Sequence, residues 1–400
     1  MSAIANSLQH NRGRNVRVAV SGLALNSPLN GTGRYARRVI EVLARFEDLQ
    51  LLVVTDGRQE AWHVPPEECA APRFVQAPKP IIPVGHYGNK LYWEQLGLPM
   101  AAWRLGVDVL FSPHFSLPLF SPAPSVVSIH DLIPLTEPGY AESVGVKAYF
   151  SLVSAAARRA KAILTLSQYS KSEIERLLHI QPDRIHVVAP GAEAAFSSLP
   201  DPEARSRIQR RLHLPEPYLL YVGGAHRRKN IGILLQAMAA LRSIPGLPTL
   251  VIAASSAGAG SGIVPDWRAQ AAALGMNDRI HFVERIEEED LPQVYRDAVA
   301  FCFPSRAEGF GLTPLEAMAC GAPVLSANTT SLPEAIGDAG LLLPPDDVAA
   351  WAQAMTRIST DEALRKRLSA AGKARAAIFT WDKTGSEIHN VLTKVAPCGS

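Results

Sequence analysis

The sequence predicts an α/β protein made of two successive parallel-sheet domains with a cleft between them. Three observations predict it. The chain has 400 residues, more than the roughly 250–300 that one hydrophobic core supports. Hydrophobic residues make up 47% and charged residues 19%, a balance that packs instead of staying disordered. Short β-branched runs alternate with longer amphipathic stretches, the pattern of parallel strands crossed by helices.

MSAIANSLQHNRGRN, at the start, lacks the apolar core of a signal peptide, so residues 1–14 read as a disordered lead-in. A first domain over 15–195 carries strands at 16–22 (VRVAVSG), 51–55 (LLVVT), 107–111 (VDVLF), 125–129 (SVVSI), 162–166 (AILTL) and 185–189 (IHVVA). Helical periodicity fills 34–46, 90–105 and 170–178. At 191–201, GAEAAFSSLPD, the regular pattern lapses, which marks a domain boundary and a place for a hinge. A second domain over 204–378 resumes with strands at 218–224 (YLLYVGG), 248–254 (PTLVIAA), 279–284 (RIHFVE), 299–304 (VAFCFP), 322–327 (APVLSA) and 340–345 (GLLLPP).

Composition excludes several classes. A net charge of +3 and a pI near 8.6 are too mild for a nucleic-acid binder. The stretches 109–129 and 243–265 carry no charged side chain, but Pro113, Pro118, Pro122 and Pro124 break the first, and Pro245 and Pro248 break the second. Neither makes a membrane-spanning helix, so any contact with a membrane is from one side. Cys69, Cys302, Cys320 and Cys398 show no C-x-x-C spacing and read as reduced thiols of a cytoplasmic protein.

Ligands of open parallel sheets bind outside the carboxyl ends of the strands, which singles out the loops at 30–34, 130–131, 225–229 and 305–313. SRAEGFGLTPLEAMACGAPV (305–324) follows a buried strand and feeds a short helix that stops at Gly321. Thr313 reads as the N-cap and Pro314 as the first helical residue. The amides of Gly311, Leu312 and Thr313 would then face outward at the positive end of the helix dipole, ready for an anion. Glu316 has two readings, the last member of a capping box or a ligand group. Glu308 likewise either meets a ligand hydroxyl or pairs with Arg306.

In YVGGAHRRKNIGILLQAM, Arg227, Arg228 and Lys229 precede a helix N-terminus, where cations oppose the dipole, so an anionic ligand explains them better than a solvated surface. Gly31-x-Gly33 is not the dinucleotide fingerprint, since Ala36 stands where a third glycine is needed. His130 and Asp131 follow a buried strand directly, where a histidine serves either structure or chemistry.

Taken together, these residues resemble glycosyltransferase family 4, the retaining nucleotide-sugar transferases of GT-B fold, with two Rossmann-like domains facing each other across a cleft. The resemblance runs through GTGRYARRVIEVL, WEQLGLP, DVLFSPHFSLP, IHDLIPL, TLSQYSKSEI, RKNI, PSRAEGFGLTPLEAMACGAPV, SLPEAIGDAGLLLPP and FTWDKTG. Its most specific element is Glu308 and Glu316 with seven residues between them. It implies that Glu308 holds hydroxyls of the donor sugar and Glu316 the ribose. It also implies that Phe310, Gly311 and Leu312 bring backbone amides to sugar and phosphate, that Lys229 meets the diphosphate, that His130 lies beside the reacting sugar, and that Gly33 faces the diphosphate from the first domain. The family often places an arginine where this chain has Gly224, and Arg227 or Arg228 is expected to replace it. A terminal helix over 379–396 is expected to cross back to the first domain.

The activity implied by the resemblance is that of a hexosyltransferase that needs no cofactor and no metal, with cations and helix amides offsetting the charge of the departing diphosphate. The wording of GTGRY, IHDLIPL and SLPEAIGDAG is most similar to bacterial mannosyltransferases of surface-polysaccharide and O-antigen assembly, which implies GDP-mannose as donor, with UDP-glucose and dTDP-rhamnose as alternatives. The acceptor would be a glycan or a lipid-linked glycan, and Arg34, Arg37 and Arg38 would rest the protein peripherally on an anionic membrane face. Three other readings compete: a GT-B epimerase or hydrolase, a nicotinamide-dependent dehydrogenase, and a silent sugar-nucleotide-binding subunit.

Overall fold

A computed structural model of the chain describes residues 15–26, 31–57, 72–78, 85–137, 144–197 and 201–397. The expected lead-in, Cys69, Cys398 and Asn30 lie outside them. Among the described residues two all-parallel sheets form. The first contains β1 (Val16–Ser21), β2 (Leu49–Thr55), β3 (Arg73–Gln76), β4 (Val109–Ser112), β5 (Ser125–Ser128), β6 (Ala162–Thr165) and β7 (Ile185–Val187), in spatial order β3-β2-β1-β4-β5-β6-β7. The second contains β8 (Tyr218–Val222), β9 (Thr249–Ala253), β10 (Ile280–Val283), β11 (Ala300–Phe303), β12 (Val324–Ala327) and β13 (Leu341–Leu343), in order β10-β9-β8-β11-β12-β13.

Runs such as Val18, Ala19 and Val20 are fully buried because helices cover both faces of a parallel sheet. Each large apolar side chain so buried contributes about 1.5–3 kcal/mol. In both sheets the strand order reverses once, between β1 and β4 and between β8 and β11. A crevice opens at such a reversal. The loops leaving β8 and β11 flank the second one, and they carry Arg228, Lys229 and Glu308.

Two details differ from the sequence reading. The strand Arg73–Gln76 was not expected; RFVQ is short and mostly exposed, so it shows no apolar run. The helix expected over 90–105 is divided into Gly85–Tyr92, a π-helical turn Trp93–Gly97, and Leu98–Leu105. Pro99 explains the division: it has no N–H for the carbonyl one α-turn back, and the N–H of Leu98 reaches Trp93 instead. Asp347 caps the helix Val348–Thr360 by accepting from the Ala350 amide, as an Asp after a Pro-Pro turn should. Cys302 and Cys320 are buried and free, and burial pushes the Cys320 thiol up to about 12.

The C-terminal helix Trp381–Val395 lies against the helix Gly31–Leu43 and the strands β4 to β6 of the first sheet. Thr380 caps it, and the Thr384 hydroxyl donates to the Ala189 carbonyl at 2.7 Å. Gly191 lets the two crossing segments pass, since a Cβ there would stand 2.4 Å from the Trp381 nitrogen. Among the described residues no helix is long and apolar enough to cross a membrane.

Candidate functional site

The loop after β11 turns into the helix Leu312–Ala319 at Gly311, whose φ of 114° only glycine adopts without strain. That early turn corrects the expected cap. The helix begins at Leu312, Thr313 falls inside its first turn, and no side chain among the described residues caps it. The capping-box reading of Glu316 therefore fails. Its carboxylate instead accepts from Arg34 Nη2 of the first domain at 2.7 Å. Burial pushes the Glu316 carboxyl up to about 7, while Arg34 pulls it back.

Arg34 is a hub. It lies 3.4 Å from Glu193 and 3.2 Å from Glu288 as well as against Glu316. Arg38, one helical turn on, pairs with Glu193 at 2.7 Å and Glu41 at 2.6 Å. These two guanidiniums are thus engaged by carboxylates of the chain. Sequence reasoning gave Arg34 a surface role because its partners lie far along the chain. Gly33 is buried in the same first turn, and Gly31 contributes to the wall of a cavity of about 340 Å³ with Arg34, Gly223, Leu312, Thr313 and Glu316. A larger cavity of about 750 Å³ runs along the crossing segments beside Arg38, Arg45, Lys373 and Trp381, but none of the predicted site residues lines it.

Glu308 sits at the other end of the loop. Lys229 Nζ reaches its Oε1 at 2.5 Å and Arg228 Nη1 at 3.3 Å. The Arg306 alternative fails, because Arg306 pairs with Asp346 and Asn230. Burial alone would raise the Glu308 carboxyl, yet Lys229 and Arg228 bring it below the ordinary carboxylate value. Burial lowers the Lys229 ammonium, with Glu308 opposing. Of the two arginines expected to replace the one absent at Gly224, Arg228 stands in this cluster, whereas Arg227 is exposed and points to the Gly262 carbonyl.

Asp131 joins the same cluster. Its carboxyl is raised by burial and feels Arg228, Glu308 and Lys229, and it accepts from the Ile133 amide. His130 beside it packs edge-on to Tyr35 at 4.4 Å. Burial pushes this imidazole down to about 4, its ring bonds the Pro113 carbonyl, and among the described residues its Nε2 has no partner. Phe310 differs from the other loop residues, because its side chain is core, edge-on to Phe379 at 5.4 Å, so only its backbone is available to the cleft.

The two domains meet closely around these groups. A Cβ on Gly309 would stand 2.5 Å from the His130 carbonyl oxygen, so only glycine fits. Ser167 donates to the Gly309 carbonyl at 2.9 Å. Glu334 of the second domain accepts from the Gln168 and Tyr169 amides at 2.7 and 2.6 Å, satisfying the open end of a first-domain helix. The predicted residues are thus brought to one cleft, with a carboxylate–cation pair at each end of the loop.

Comparison with known proteins agrees with this geometry. Residues 203–375 match the family described as Glycosyl transferases group 1, and residues 29–196 match Glycosyltransferase Family 4. The chain is 30% identical to O-antigen chain mannosyltransferase B of Escherichia coli over 91% of its own length and 96% of that protein's. It is 36% identical to a D-inositol 3-phosphate glycosyltransferase of Salinispora tropica, over only 52% of this chain and 46% of that one. Among solved structures, sucrose-phosphate synthase from Thermosynechococcus elongatus superposes with a TM-score of 0.72 at 22% identity, covering 95% of this chain and 98% of that one. WaaG, a glycosyltransferase involved in lipopolysaccharide biosynthesis, gives 0.70 at 17% identity, covering 94% of this chain and all of that one. At such identities these two likenesses show the fold alone.

Proposed function

Because the chain belongs to glycosyltransferase family 4 and is a glycosyltransferase of GT-B fold, we propose that it transfers mannose from GDP-mannose to a glycan of a surface polysaccharide, with retention at the anomeric carbon. One observation carries the site reading: two buried carboxylates, Glu308 and Glu316, flank a glycine-bounded helix start, and each is held by cations. The donor exchanges those partners. Its sugar hydroxyls donate to Glu308 and its ribose to Glu316, while the diphosphate takes Lys229, Arg228 and the amides at Gly311 and Leu312.

As the glycosyl–phosphate bond breaks, positive charge develops on the sugar and negative charge on the diphosphate. Lys229 and Arg228 offset the latter, which is the proposed reason the reaction needs no metal. His130, neutral and with its Nε2 without a partner among the described residues, accepts a hydrogen bond from a sugar hydroxyl and positions it without adding charge. The acceptor hydroxyl attacks from the face the diphosphate leaves, and a leaving-phosphate oxygen takes its proton.

Mannose as the sugar, and a role in O-antigen-type assembly, rest on the likeness to the E. coli mannosyltransferase, which extends over nearly the whole of both chains. A lipid-linked acceptor would bring the protein to the inner face of the membrane. The test is a thermal-shift panel of GDP-mannose, UDP-glucose, dTDP-rhamnose and NAD on wild type and Glu316→Ala. Stabilisation by GDP-mannose that vanishes in the variant is expected. A shift by UDP-glucose or dTDP-rhamnose alone would reassign the donor, and an inverted anomer in the NMR spectrum of the product would end the retention mechanism.

A further inference from the structure

The cavity of about 750 Å³ along the crossing segments has no part in the transferase reading, and both domains build it. Arg38 and Arg45 enter it from the first domain, Arg296 and Lys373 from the second. Its carboxylates are fewer. Glu41 and Glu193 bond Arg38 at 2.6 and 2.7 Å, and Asp382 bonds Arg45 at 2.9 Å, so each is answered from the first domain. The wall supplied by residues 296–377 carries cations and no carboxylate. Lys373 there is exposed and makes no ion pair among the described residues. Burial raises the Cys320 thiol on this wall, and Arg296 and Lys373 both pull it back, which places the two cations around one point.

The volume is that of a small-molecule site and exceeds what a bare ion fills. Cations call for a phosphate, and carboxylates accept from hydroxyls. A phosphorylated sugar offers both. Glu193 and Trp381 also line the cavity at Glu316, so the two spaces share a wall. A chain of ion pairs runs through it: Arg38 to Glu193 at 2.7 Å, Glu193 to Arg34 at 3.4 Å, and Arg34 to Glu316 at 2.7 Å. The middle link is the longest, as expected where each of its partners is held more closely from the other side. Burial would raise the Glu193 carboxyl, yet Arg38 and Arg34 bring it below the ordinary value, so it stays charged and needs a cation. A phosphate that engages Arg38 leaves Glu193 to Arg34. Arg34 then gives up Glu316.

We propose that this cavity is a regulatory site for a small phosphorylated sugar, whose phosphate takes Lys373 and Arg38 and whose binding frees Glu316 for the donor ribose. The coupling rests on the ribose position proposed above, whereas the site itself rests on the cavity and its cations.

The test is ligand-observed NMR titration of mannose 6-phosphate, mannose 1-phosphate and glucose 6-phosphate into wild type and Lys373→Ala at constant ionic strength. Each protein is saturated with GDP, so that the donor phosphate positions are filled. At least one sugar phosphate should bind wild type and lose about tenfold in Lys373→Ala, while GDP alone binds both proteins equally. Calorimetry should show GDP bound about five- to tenfold tighter when that sugar phosphate is present, with the same factor in the reverse order of addition. Arg38→Gln should tighten GDP with no sugar phosphate added and abolish the coupling. No binding of any of the three, binding unchanged in Lys373→Ala, or a GDP affinity that the bound sugar phosphate lowers or leaves unchanged would each overturn the proposal. If GDP fails to bind wild type, the transferase reading falls, and titration of the two proteins without nucleotide still decides the site.

Discussion

Replacing Glu316 by Gln should change how stability depends on pH. The side chain is 4% exposed, and burial raises its carboxyl from 4.5 to about 7 against the pull of Arg34. A folded value above the unfolded one means that the folded state binds the proton more tightly. The favourable contribution is therefore complete below pH 4.5 and is lost as pH rises through about 7. The gap from 4.5 to about 7, at about 1.4 kcal/mol per pH unit, amounts to roughly 3 kcal/mol. Glutamine does not titrate, and Arg34 keeps Glu193 and Glu288 as partners. The stability of the variant relative to wild type should thus rise by roughly 3 kcal/mol between pH 4.5 and 8. Urea unfolding at a series of pH values, followed by tryptophan fluorescence, reads this directly. Parallel curves for the two proteins across that window would refute the reasoning.

Three further outcomes are expected from the geometry. Lys229→Met keeps most of the side-chain volume and removes the charge, so kcat should fall about 10²–10³-fold in a product-formation assay; wild-type turnover would remove Lys229 from the mechanism. Gly309→Ala puts a methyl 2.5 Å from the His130 carbonyl oxygen, and the forced displacement should lower activity about 10²-fold while each domain stays folded by circular dichroism. Glu334→Ala leaves the Gln168 and Tyr169 amides without their cross-domain acceptor. It should cost about 0.5–2 kcal/mol of domain closure, visible as a larger radius of gyration in solution scattering.

The sheets were legible because parallel strands buried on both faces read as uninterrupted apolar runs, and every expected strand lies in one of them. β3 was not, because RFVQ at a sheet edge is mostly exposed. Glu308, Lys229 and Glu316 were legible because charged residues after buried strands and beside glycines have few structural uses. Their partners were partly hidden. A Thr-Pro-Leu-Glu string looks like a cap, and only the backbone of Gly311 shows that the helix starts before it. Arg34 looked like a surface cation since its carboxylates, Glu193, Glu288 and Glu316, are supplied from 159 to 282 residues away.

Every carboxylate placed at the donor site is already answered by a cation of the chain: Glu308 by Lys229 and Arg228, Glu316 by Arg34. Burial makes this necessary, since an uncompensated buried charge costs several kcal/mol. The same pairing shapes recognition. A ligand that offers hydroxyls alone would strip the cations of their partners and leave them unanswered, and a ligand that offers phosphate alone would do the same to the carboxylates. The proposed donor carries both, with the diphosphate between two polyhydroxyl ends, so each broken ion pair is replaced by a cation–phosphate and a carboxylate–hydroxyl contact together. In the proposed mechanism Lys229, which Glu308 holds at 2.5 Å, would be released to the leaving charge only when a sugar takes its position on the carboxylate. That mechanism would couple electrostatic stabilisation of the leaving group to occupancy of the sugar site, and so would favour transfer from a complete donor over engagement of the free nucleotide.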